Sequence, residues 1–485
     1  MDANMRPYIA IRYTTVGTHI CVHACIFIYL CTQIHLSMSS IRIFTALMLV
    51  ILVRGPVAAQ EPWTLTGCIS YAFENNIRLK QQSLGVDVAR NNLSQSKLNL
   101  LPSLNSGMSE SFRFGRSVDP LTYQFTTENS TGASVYASAD MDLFKGLQNW
   151  NTIQRNQIDL KKNLSDLDKA RNDLALNIAR LYLQILFNEE LHDITVQQLN
   201  ITRQQVDRTR ILVDAGSLPK GDYLEIQAQM ANEELNEVNS RNQLTMSYLD
   251  LAQLLDLKSP ENFRVQRPTF ESIKVMDNLG TVDEVYQSAI LTLPQVKSAE
   301  LDLQSLEKDL LITRGRLSPS LSMSSSYGTG YSDRLKDFQT GKTMALKDQL
   351  DFTSQTSLGF SLNIPIFNGW STRTSIKNAR ISVTNGKYQL EVVRNQLLKE
   401  IQQAFADASA SLERFKATTK SVSAFEEAFR YAEQKFNVGM LTSLDYNVAK
   451  NNLTKARSEL LQAKYNYIFN TRILDFYRGI PIDLK

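Results

Sequence analysis

Two long stretches of the chain carry apolar residues at steps of three and four, with polar residues between them. This seven-residue period is typical of a coiled coil, in which one apolar stripe of each helix packs against its neighbours. The second stripe comprises Leu390, Val393, Leu397, Ile401, Ala404, Ala408 and Leu412. No proline interrupts either stretch, so the pattern predicts very long helices from about residue 147 to 213 and from about 372 to 437. Each helix of roughly 66 residues is on the order of 100 Å long.

Four shorter segments alternate between apolar and polar residues instead. The alternation is clear near 133–144 and 356–367, and weaker near 104–114 and 320–331. Strands of about nine to eleven residues with one apolar and one polar face match transmembrane strands, with lipid on one side and water on the other. A half-buried soluble sheet produces the same pattern. We favour the membrane interpretation because the chain also has helices of this length and a predicted signal peptide, which is described below.

Three landmarks of the chain occur twice, in the same order and at nearly constant spacing. They are Pro102 and Pro319 before strands, Phe144 with Gly146 and Phe367 with Gly369 at strand–helix corners, and Gly216 with Asp222 and Gly439 with Asp445 at helical turns. Coincidence would not preserve both order and spacing, so the chain is predicted to be an internal duplication. We place the first repeat at residues 60–265 and the second at 266–485.

Residues 1–59 are predicted to be a presequence. From Met38 the chain has a basic residue, Arg42, then an apolar run over 43–53 and small residues up to Ala59. This is the pattern of a signal peptide, so we expect translation to start at Met38 and cleavage to follow Ala59. The run is shorter than the roughly 20 residues that a transmembrane helix needs. The cysteines and histidines at 19–35 indicate either a metal site or incidental residues of this presequence, and the apolar surroundings favour the second interpretation.

The composition limits the possible functions further. The chain has 485 residues, 43% hydrophobic and 21% charged, with a net charge of +3, which indicates neither disorder nor a nucleic-acid-binding tail. Glycine and proline are few, which favours a helical protein. After the presequence only Cys68 and His192 represent their residue types. The sequence therefore predicts no catalytic set, no metal site and no cofactor, and a secreted enzyme is the least favoured class.

Four strands per chain are too few to close a barrel, because about eight is the practical minimum. An open sheet edge is also forbidden in lipid, since its backbone groups would have no hydrogen-bonding partners. Three copies of the chain would supply twelve strands. The competing hypothesis is a soluble periplasmic coiled-coil adaptor or binding protein, although such adaptors usually carry one hairpin between compact β-domains.

These landmarks resemble the TolC family of outer-membrane efflux proteins across the predicted mature chain, from Trp63-Thr64-Leu65 to the last helix. The duplicated corner, Ile364-Pro365-Ile366-Phe367-Asn368-Gly369, is among the most specific elements. The resemblance implies a mainly α protein with a small transmembrane β part. It forms a homotrimer whose shared twelve-stranded β-barrel sits in the outer membrane of a Gram-negative bacterium, in contact with lipid. A long α-helical coiled-coil barrel with an equatorial collar, including residues 258–281, extends into the periplasm.

The resemblance also implies a role and partners. The family acts as a passive duct in tripartite efflux, including multidrug efflux, or in type I secretion, with a periplasmic adaptor (membrane fusion) protein and an inner-membrane pump of RND, ABC or MFS type. The adaptor would dock on the helical tips near 214–222 and 437–445. The candidate docking residues are Gly216, Ser217, Leu218 and Asp222 in the first tip, and Gly439, Met440, Leu441 and Asp445 in the second. Helix termination and capping alone also explain the glycines and aspartates.

Two further predictions each have a structural alternative. The family closes its periplasmic end with charged residues, and here Glu427 is the candidate for a ring of carboxylates across the axis. Arg430 stands where the family has an acid, and a solvated helix face explains both charges equally well. Phe144 and Phe367 end the strands and Trp150 and Trp370 follow the corners. These aromatic residues match an interfacial belt, with buried packing as the alternative.

Overall fold

The computed structural model describes residues 62–118, 123–127, 129–258, 263–268, 280–337 and 339–480. The predicted presequence, part of the linker at 258–281 and the last five residues lie outside these ranges. The helices of the first half are α1 (Leu65–Asn75), α2 (Ile77–Leu98), α3 (Gln148–Asp214) and α4 (Lys220–Leu254), and its strands are β1 (Ser103–Arg113), β2 (Arg116–Val118), β3 (Phe125–Thr127) and β4 (Ser130–Lys145). The helices of the second half are α5 (Val282–Thr292), α6 (Pro294–Gly315), α7 (Leu346–Phe352), α8 (Ser371–Asn437) and α9 (Ser443–Tyr477), and its strands are β5 (Ser320–Ser332) and β6 (Gln355–Asn363).

The two long helices predicted from the seven-residue period are present. Both α3 and α8 have 67 residues, and both return helices, α4 and α9, have 35. Each half of the chain therefore contains one long helical hairpin of the same dimensions. The largest apolar core lies where α1, α3, α4 and α9 meet, around Tyr182, Ile185 and Leu251. Among the described residues no helix is both long and apolar enough to span a membrane.

The helical segment before β1 and the helical segment before β5 each consist of two helices. Asn76 separates α1 from α2: its backbone is extended, its side chain accepts from the Leu79 amide at 3.1 Å, and it donates to the Leu254 carbonyl at 2.9 Å. Leu293 separates α5 from α6 because Pro294 disfavours helical geometry at the residue before it. The second break carries the stronger sequence signal, a proline, whereas the first carries only an asparagine suited to a helix N-cap.

The strands form a four-stranded antiparallel sheet in the order β1-β4-β5-β6. The register places apolar side chains of all four strands on one face, with Met108 opposite Val135, Ala137 opposite Tyr327, and Met323 opposite Phe360. The same face also carries Leu104, Phe112, Ala139, Leu321, Leu358 and Leu362. The opposite face is rich in serine, and hydroxyl pairs join neighbouring strands there, such as Ser109 with Ser134 at 2.8 Å. The predicted two-faced sheet is therefore present.

Three details of the β region differ from the expectation. Strand β6 ends at Asn363 rather than near residue 367, because Pro365 has no amide hydrogen for a ladder bond. The loop after β1 contains the short β2–β3 hairpin, in which Arg116 lies over the Phe125 ring at 4.4 Å. The loop before β6 contains the short helix α7. Both additions lie in segments with weak periodicity.

The start of the described chain is fastened to the middle of α3. Trp63 pairs in parallel with Val265 of the linker, and the Tyr182 hydroxyl donates to the carbonyls of Trp63 and Gln266 at 3.0 and 2.6 Å. Arg267 forms an ion pair with Glu189 at 2.7 Å. These contacts place the described part of the linker, residues 263–268, beside the middle of α3, and the collar stays a prediction. The remainder of that prediction falls outside the described residues.

Candidate functional site

The two long helices end in the same hydrogen-bonded turn. Gly216 and Gly439 adopt left-handed backbone angles, with φ of 73° and 76°. In the first tip, the Ser217 amide donates to Leu212 and the Gly216 amide to Val213; in the second, Met440 donates to Lys435 and Gly439 to Phe436. This double-bonded C-terminal motif needs a residue without a Cβ penalty at the left-handed position. The paired glycines are thus explained by chain reversal.

The return helices begin differently in the two tips. Thr442 caps α9: its hydroxyl accepts from the Asp445 amide at 3.1 Å and donates to the Asp445 carboxylate at 2.8 Å. Pro219 holds the equivalent place before α4 and provides no side-chain cap, so the only acid in that first turn is Asp222. Both aspartates lie near the positive end of a helix dipole. The second tip is therefore the better capped of the two.

The two tips contact each other within one protomer. The Arg208 guanidinium of the first hairpin donates to the Asn437 side chain of the second at 3.0 Å. Within the second tip, the Tyr446 ring stacks on Phe436 with centroids 4.6 Å apart. Burial raises the pKa of Tyr446 to about 12, so its hydroxyl stays protonated at neutral pH. A cleft of about 660 Å³ lies between the tips, and its walls include Leu218 and Leu441. The structure thus brings candidate residues from both repeats to one cleft.

A buried polar cluster, which was not predicted from the sequence, joins the two hairpins above the tips. Glu233 of α4 and Lys450 of α9 form an ion pair at 3.4 Å with side chains only 5% and 4% exposed. Thr202 of α3 lies between them, donating to the carboxylate and accepting from the ammonium group. Burial lowers the pKa of Lys450, and the neighbouring Glu233 opposes this shift. All three helices of the cluster are therefore linked by one charged network.

The candidate gate residues have a simpler environment. Glu427 and Arg430 are both exposed and pair with each other on the surface of α8 at 2.7 Å. Arg430 also lies over the Tyr431 ring, 5.1 Å from its centroid. Within the protomer this pair neutralises its own charge and contacts neither the first hairpin nor α9 among the described bonds. A role of Glu427 in a ring of carboxylates stays a prediction.

The strand–helix corners also repeat. Each corner has two consecutive residues with positive φ: Gly146 and Leu147 at 57° and 60°, and Gly369 and Trp370 at 62° and 63°. Their surroundings differ, because a Cβ on Gly146 would lie 2.3 Å from the Gly315 carbonyl oxygen, whereas a Cβ on Gly369 would meet nothing within 4 Å. The first corner is therefore packed tightly against the end of α6, and the second is open.

This difference predicts unequal effects of two matched substitutions. Gly146→Ala and Gly369→Ala both force alanine into left-handed geometry, at a cost of about 1–2 kcal/mol. Gly146→Ala adds overpacking against Gly315, typically about 1–3 kcal/mol more. We expect a larger loss of thermal stability, measured by circular dichroism in detergent, for Gly146→Ala. Equal losses in the two variants would contradict the tight first corner.

The aromatic side chains at the corners are exposed in the protomer. Phe144, Phe367, Trp150 and Trp370 all present large fractions of their surface. The alternative of packing inside the protomer therefore does not apply to them, and an interfacial belt stays the prediction for these residues. Pro102 and Pro319 lie directly before β1 and β5, where each proline ends the helical segment and precedes a strand.

The described residues contain no group of three or more histidine, cysteine or acidic side chains arranged to hold a metal. Cys68 is buried, and burial raises the pKa of its thiol to about 12, so it is a poor nucleophile. The His192 ring is within 3.0 Å of the Ser240 hydroxyl, which places it among structural contacts of α3 and α4. Neither residue type therefore marks a reactive site among the described residues.

The sequence matches the family described as outer membrane efflux protein over residues 68–256 and again over 285–477. The chain belongs to the outer membrane efflux protein family. It is 24% identical to the outer membrane protein TolC of Escherichia coli K12 over 403 residues, covering 82% of this chain and 78% of TolC. The two matched segments correspond to the two halves with equal helical hairpins.

Solved structures show the same fold. A structure of CusC superposes with a TM-score of 0.73 at 18% identity, covering 86% of this chain and 92% of CusC. The outer membrane protein VceC of Vibrio cholerae superposes with a TM-score of 0.71 at 15% identity, covering 86% of this chain and 96% of VceC. The mainly α, TolC-like fold predicted from the sequence is confirmed.

Membership of this efflux family also decides the location and the class of function. The efflux protein resides in the outer membrane of a Gram-negative bacterium and extends into the periplasm. It is a channel-type protein of efflux or secretion and not an enzyme. The hypothesis of a soluble periplasmic adaptor is therefore wrong.

Proposed function

We propose that three copies of this efflux protein form a passive export duct across the outer membrane and periplasm. The observation that carries the proposal is the four-stranded sheet, which has one mainly apolar face and two edges, β1 and β6, without a partner among the described strands. Such edges are not tolerated in lipid. All neighbouring strands are antiparallel, so β1 and β6 run in opposite directions. The β6 edge of one copy can therefore pair with β1 of the next, giving twelve strands.

The helices support the same assembly. In each protomer α2, α3, α6 and α8 lie side by side, with α2 and α8 at the two ends of the row. Both end helices expose apolar residues at heptad spacing, Ile77, Leu84 and Val88 on α2, and Ile381, Tyr388 and Val392 on α8. Exposed stripes with this spacing are the seams of coiled coils. In the trimer, α8 of one copy packs on α2 of the next.

The tips provide the contact with the rest of an export system. We infer that a periplasmic adaptor docks on the cleft between the two tips and connects the duct to an energised inner-membrane pump. Exposed apolar residues flank that cleft, among them Met440, Val438 and Leu444. The docking site then includes Gly216, Ser217, Leu218 and Asp222 from one repeat and Gly439, Leu441 and Asp445 from the other. The duct supplies the path and the pump supplies the energy.

Three readouts test this function. The purified protein is expected to have the mass of a trimer in detergent and to conduct ions in planar bilayers, and its gene is expected to restore export in a deletion strain. The double variant Gly216→Val/Gly439→Val removes the left-handed turns at both tips while leaving the sheet intact. We expect it to conduct in bilayers but to fail in restoring export. A monomeric, non-conducting wild-type protein refutes the duct, and full export by the double variant refutes docking at the tips.

A further inference from the structure

The membrane-proximal start of α8 is positively charged. Arg373, Lys377 and Arg380 are exposed in the first turns of this helix, and the first acidic residue of the helix is Glu391. Among the described contacts none of the three basic side chains has an acidic partner in the protomer. The corresponding part of α3 differs, since its Arg155 pairs with Asp309 of α6 at 3.1 Å. An uncompensated basic stripe at this position is therefore a particular feature of α8.

The neighbours of α8 define two of its faces. Thr372, Ile376, Ala379 and Gly386 are buried and face α6, where a Cβ on Gly386 would lie 2.7 Å from a methyl group of Leu306. The opposite face carries the exposed stripe of Ile381, Tyr388 and Val392, which are 66%, 63% and 57% exposed and which we assign to the next copy. The basic stripe lies on neither face.

The heptad decides whether the basic stripe points outward or into the lumen. Of the seven heptad positions on α8, two face α6 and two face the next copy. The remaining three positions lie on the two other sides of the helix, two on a wide side and one on a narrow side. The wide side contains Arg373, Lys377, Arg380 and Lys387, and the narrow side contains Ser375, Ser382 and Gln389. In a closed ring each helix presents a wider arc to the outside than to the lumen. The basic stripe therefore faces outward, and the serines and glutamine face the lumen.

The other end helix has the same asymmetry. On α2, Leu79, Val86 and Ala89 face α3, and Ile77 with Leu84 forms part of the stripe for the next copy. Two heptad positions remain on one side, containing Lys80, Ser83, Asp87, Arg90, Ser94 and Lys97, and one on the other, containing Arg78, Gly85 and Asn92. Because both end helices have one wide and one narrow side, the outward assignment does not depend on α8 alone.

The basic stripe starts directly below an exposed apolar corner. Ile366 and Phe367 are 93% and 77% exposed, and Trp370 follows them at the start of α8. The Arg373 guanidinium lies over the Trp370 ring, 4.4 Å from its centroid. At 1.5 Å per residue, Arg380 lies about 10 Å beyond Arg373 along the helix axis and about 15 Å beyond Trp370. Helical side chains lean toward the N-terminus, which on α8 is toward the lipid, so long basic side chains here reach a headgroup layer of about 5–7 Å.

We propose that Arg373, Lys377 and Arg380 bind the phosphate groups of anionic phospholipids in the periplasmic leaflet of the outer membrane, with Trp370 at the boundary of the apolar layer. Guanidinium groups suit phosphate because their planar fork donates two parallel hydrogen bonds. A basic cluster next to a membrane attracts anionic lipid in addition. The proposal rests on the proposed trimer, since the outward direction is that of a closed ring. Binding of these phosphate groups would fix the depth of the duct in the membrane, in addition to the contact of the apolar surface with lipid.

The test uses the fluorescence of Trp370 in nanodiscs of phosphatidylcholine and phosphatidylglycerol in equal amounts. The Trp150→Phe substitution leaves Trp370 as the tryptophan near the membrane. The third tryptophan, Trp63, is hydrogen-bonded to Tyr182, which lies roughly 50 Å from the start of α3. One nanodisc sample has brominated phosphatidylglycerol and the other brominated phosphatidylcholine, and bromine quenches nearby tryptophan. We expect quenching by the anionic lipid to be about two- to fivefold stronger, and the excess to fall at high salt.

In the triple variant Arg373→Gln/Lys377→Gln/Arg380→Gln, we expect both brominated lipids to quench the fluorescence of Trp370 equally. The matched control is Lys399→Gln/Arg414→Gln/Lys420→Gln, which removes three exposed basic residues of the same helix far from the corner, and it retains the preference. Equal quenching in the Trp150→Phe protein with its basic residues intact, or a preference that survives the triple variant, overturns the lipid site. The mass of each nanodisc sample separates the two failures: a trimer without lipid preference refutes this site alone, whereas the absence of a trimer refutes the duct and the site together.

Discussion

The double variant Ile381→Glu/Tyr388→Glu is expected to abolish the trimer. These residues lie in the exposed stripe of α8 that we assign to the next copy. Burying side chains of this size contributes about 1.5–3 kcal/mol each, and the contact occurs three times in a trimer. With glutamate in these positions, the free energy from apolar burial is lost. Trimer formation would also have to remove each carboxylate from water, which costs several kcal/mol per ion. Light scattering in detergent and gel mobility without heating measure the result, which is a monomer that does not conduct.

The control for this variant lies one residue further along the same helix. Ser382→Glu/Gln389→Glu adds the same two charges at positions assigned to the lumen. It keeps the helix, the number of substitutions and the change in net charge the same, so general destabilisation of α8 would affect both variants. We expect this control to remain a trimer and to conduct. If both variants dissociate, or neither does, the assignment of faces on α8 is incorrect.

Much of the fold follows from periodicity in the sequence. The seven-residue pattern predicts α3 and α8 because a coiled-coil seam repeats over many turns, so isolated exceptions do not obscure it. The two-residue alternation predicts the strands for the same reason. The break at Asn76 is different, since it depends on a hydrogen bond to Leu254 across 178 residues. The short helix α7 and the β2–β3 hairpin lie in segments too short for either period to be recognised.

Some residues of the candidate site can be predicted from the local sequence, and others depend on contacts with distant parts of the chain. Gly216 and Gly439 are predictable because a left-handed turn requires glycine locally. Gly315 is missed, because its requirement arises only when Gly146 approaches it from another part of the chain. Glu233 does carry a signal: it stands one heptad after the buried Ile226 and one before the buried Ser240. A charged residue in the seam of a coiled coil predicts a buried partner, although not that the partner is Lys450.

That partner leads to a prediction about how the two hairpins are held together. Glu233→Leu leaves Lys450 buried without its carboxylate, and Lys450→Met leaves Glu233 without its cation. Breaking a buried ion pair by removing one partner costs about 3–5 kcal/mol. Because the pair lies where α3, α4 and α9 meet, we expect local opening there. Hydrogen exchange of amides in the first half of α9 measures it, with protection reduced by about two to three orders of magnitude.

Two further variants separate a buried ion pair from a mere loss of contacts. The double variant Glu233→Leu/Lys450→Met is expected to regain most of the protection, because well-packed apolar residues replace a buried pair at little cost. Arg457→Gln removes the exposed pair of Arg457 with Glu426, which joins α8 to α9 at 2.8 Å, and exposed pairs contribute about 0–1 kcal/mol. Its exchange is therefore expected to resemble the wild type. Protection in the double variant as low as in both single variants would show that lost contacts, and not an unpaired buried charge, open the hairpins.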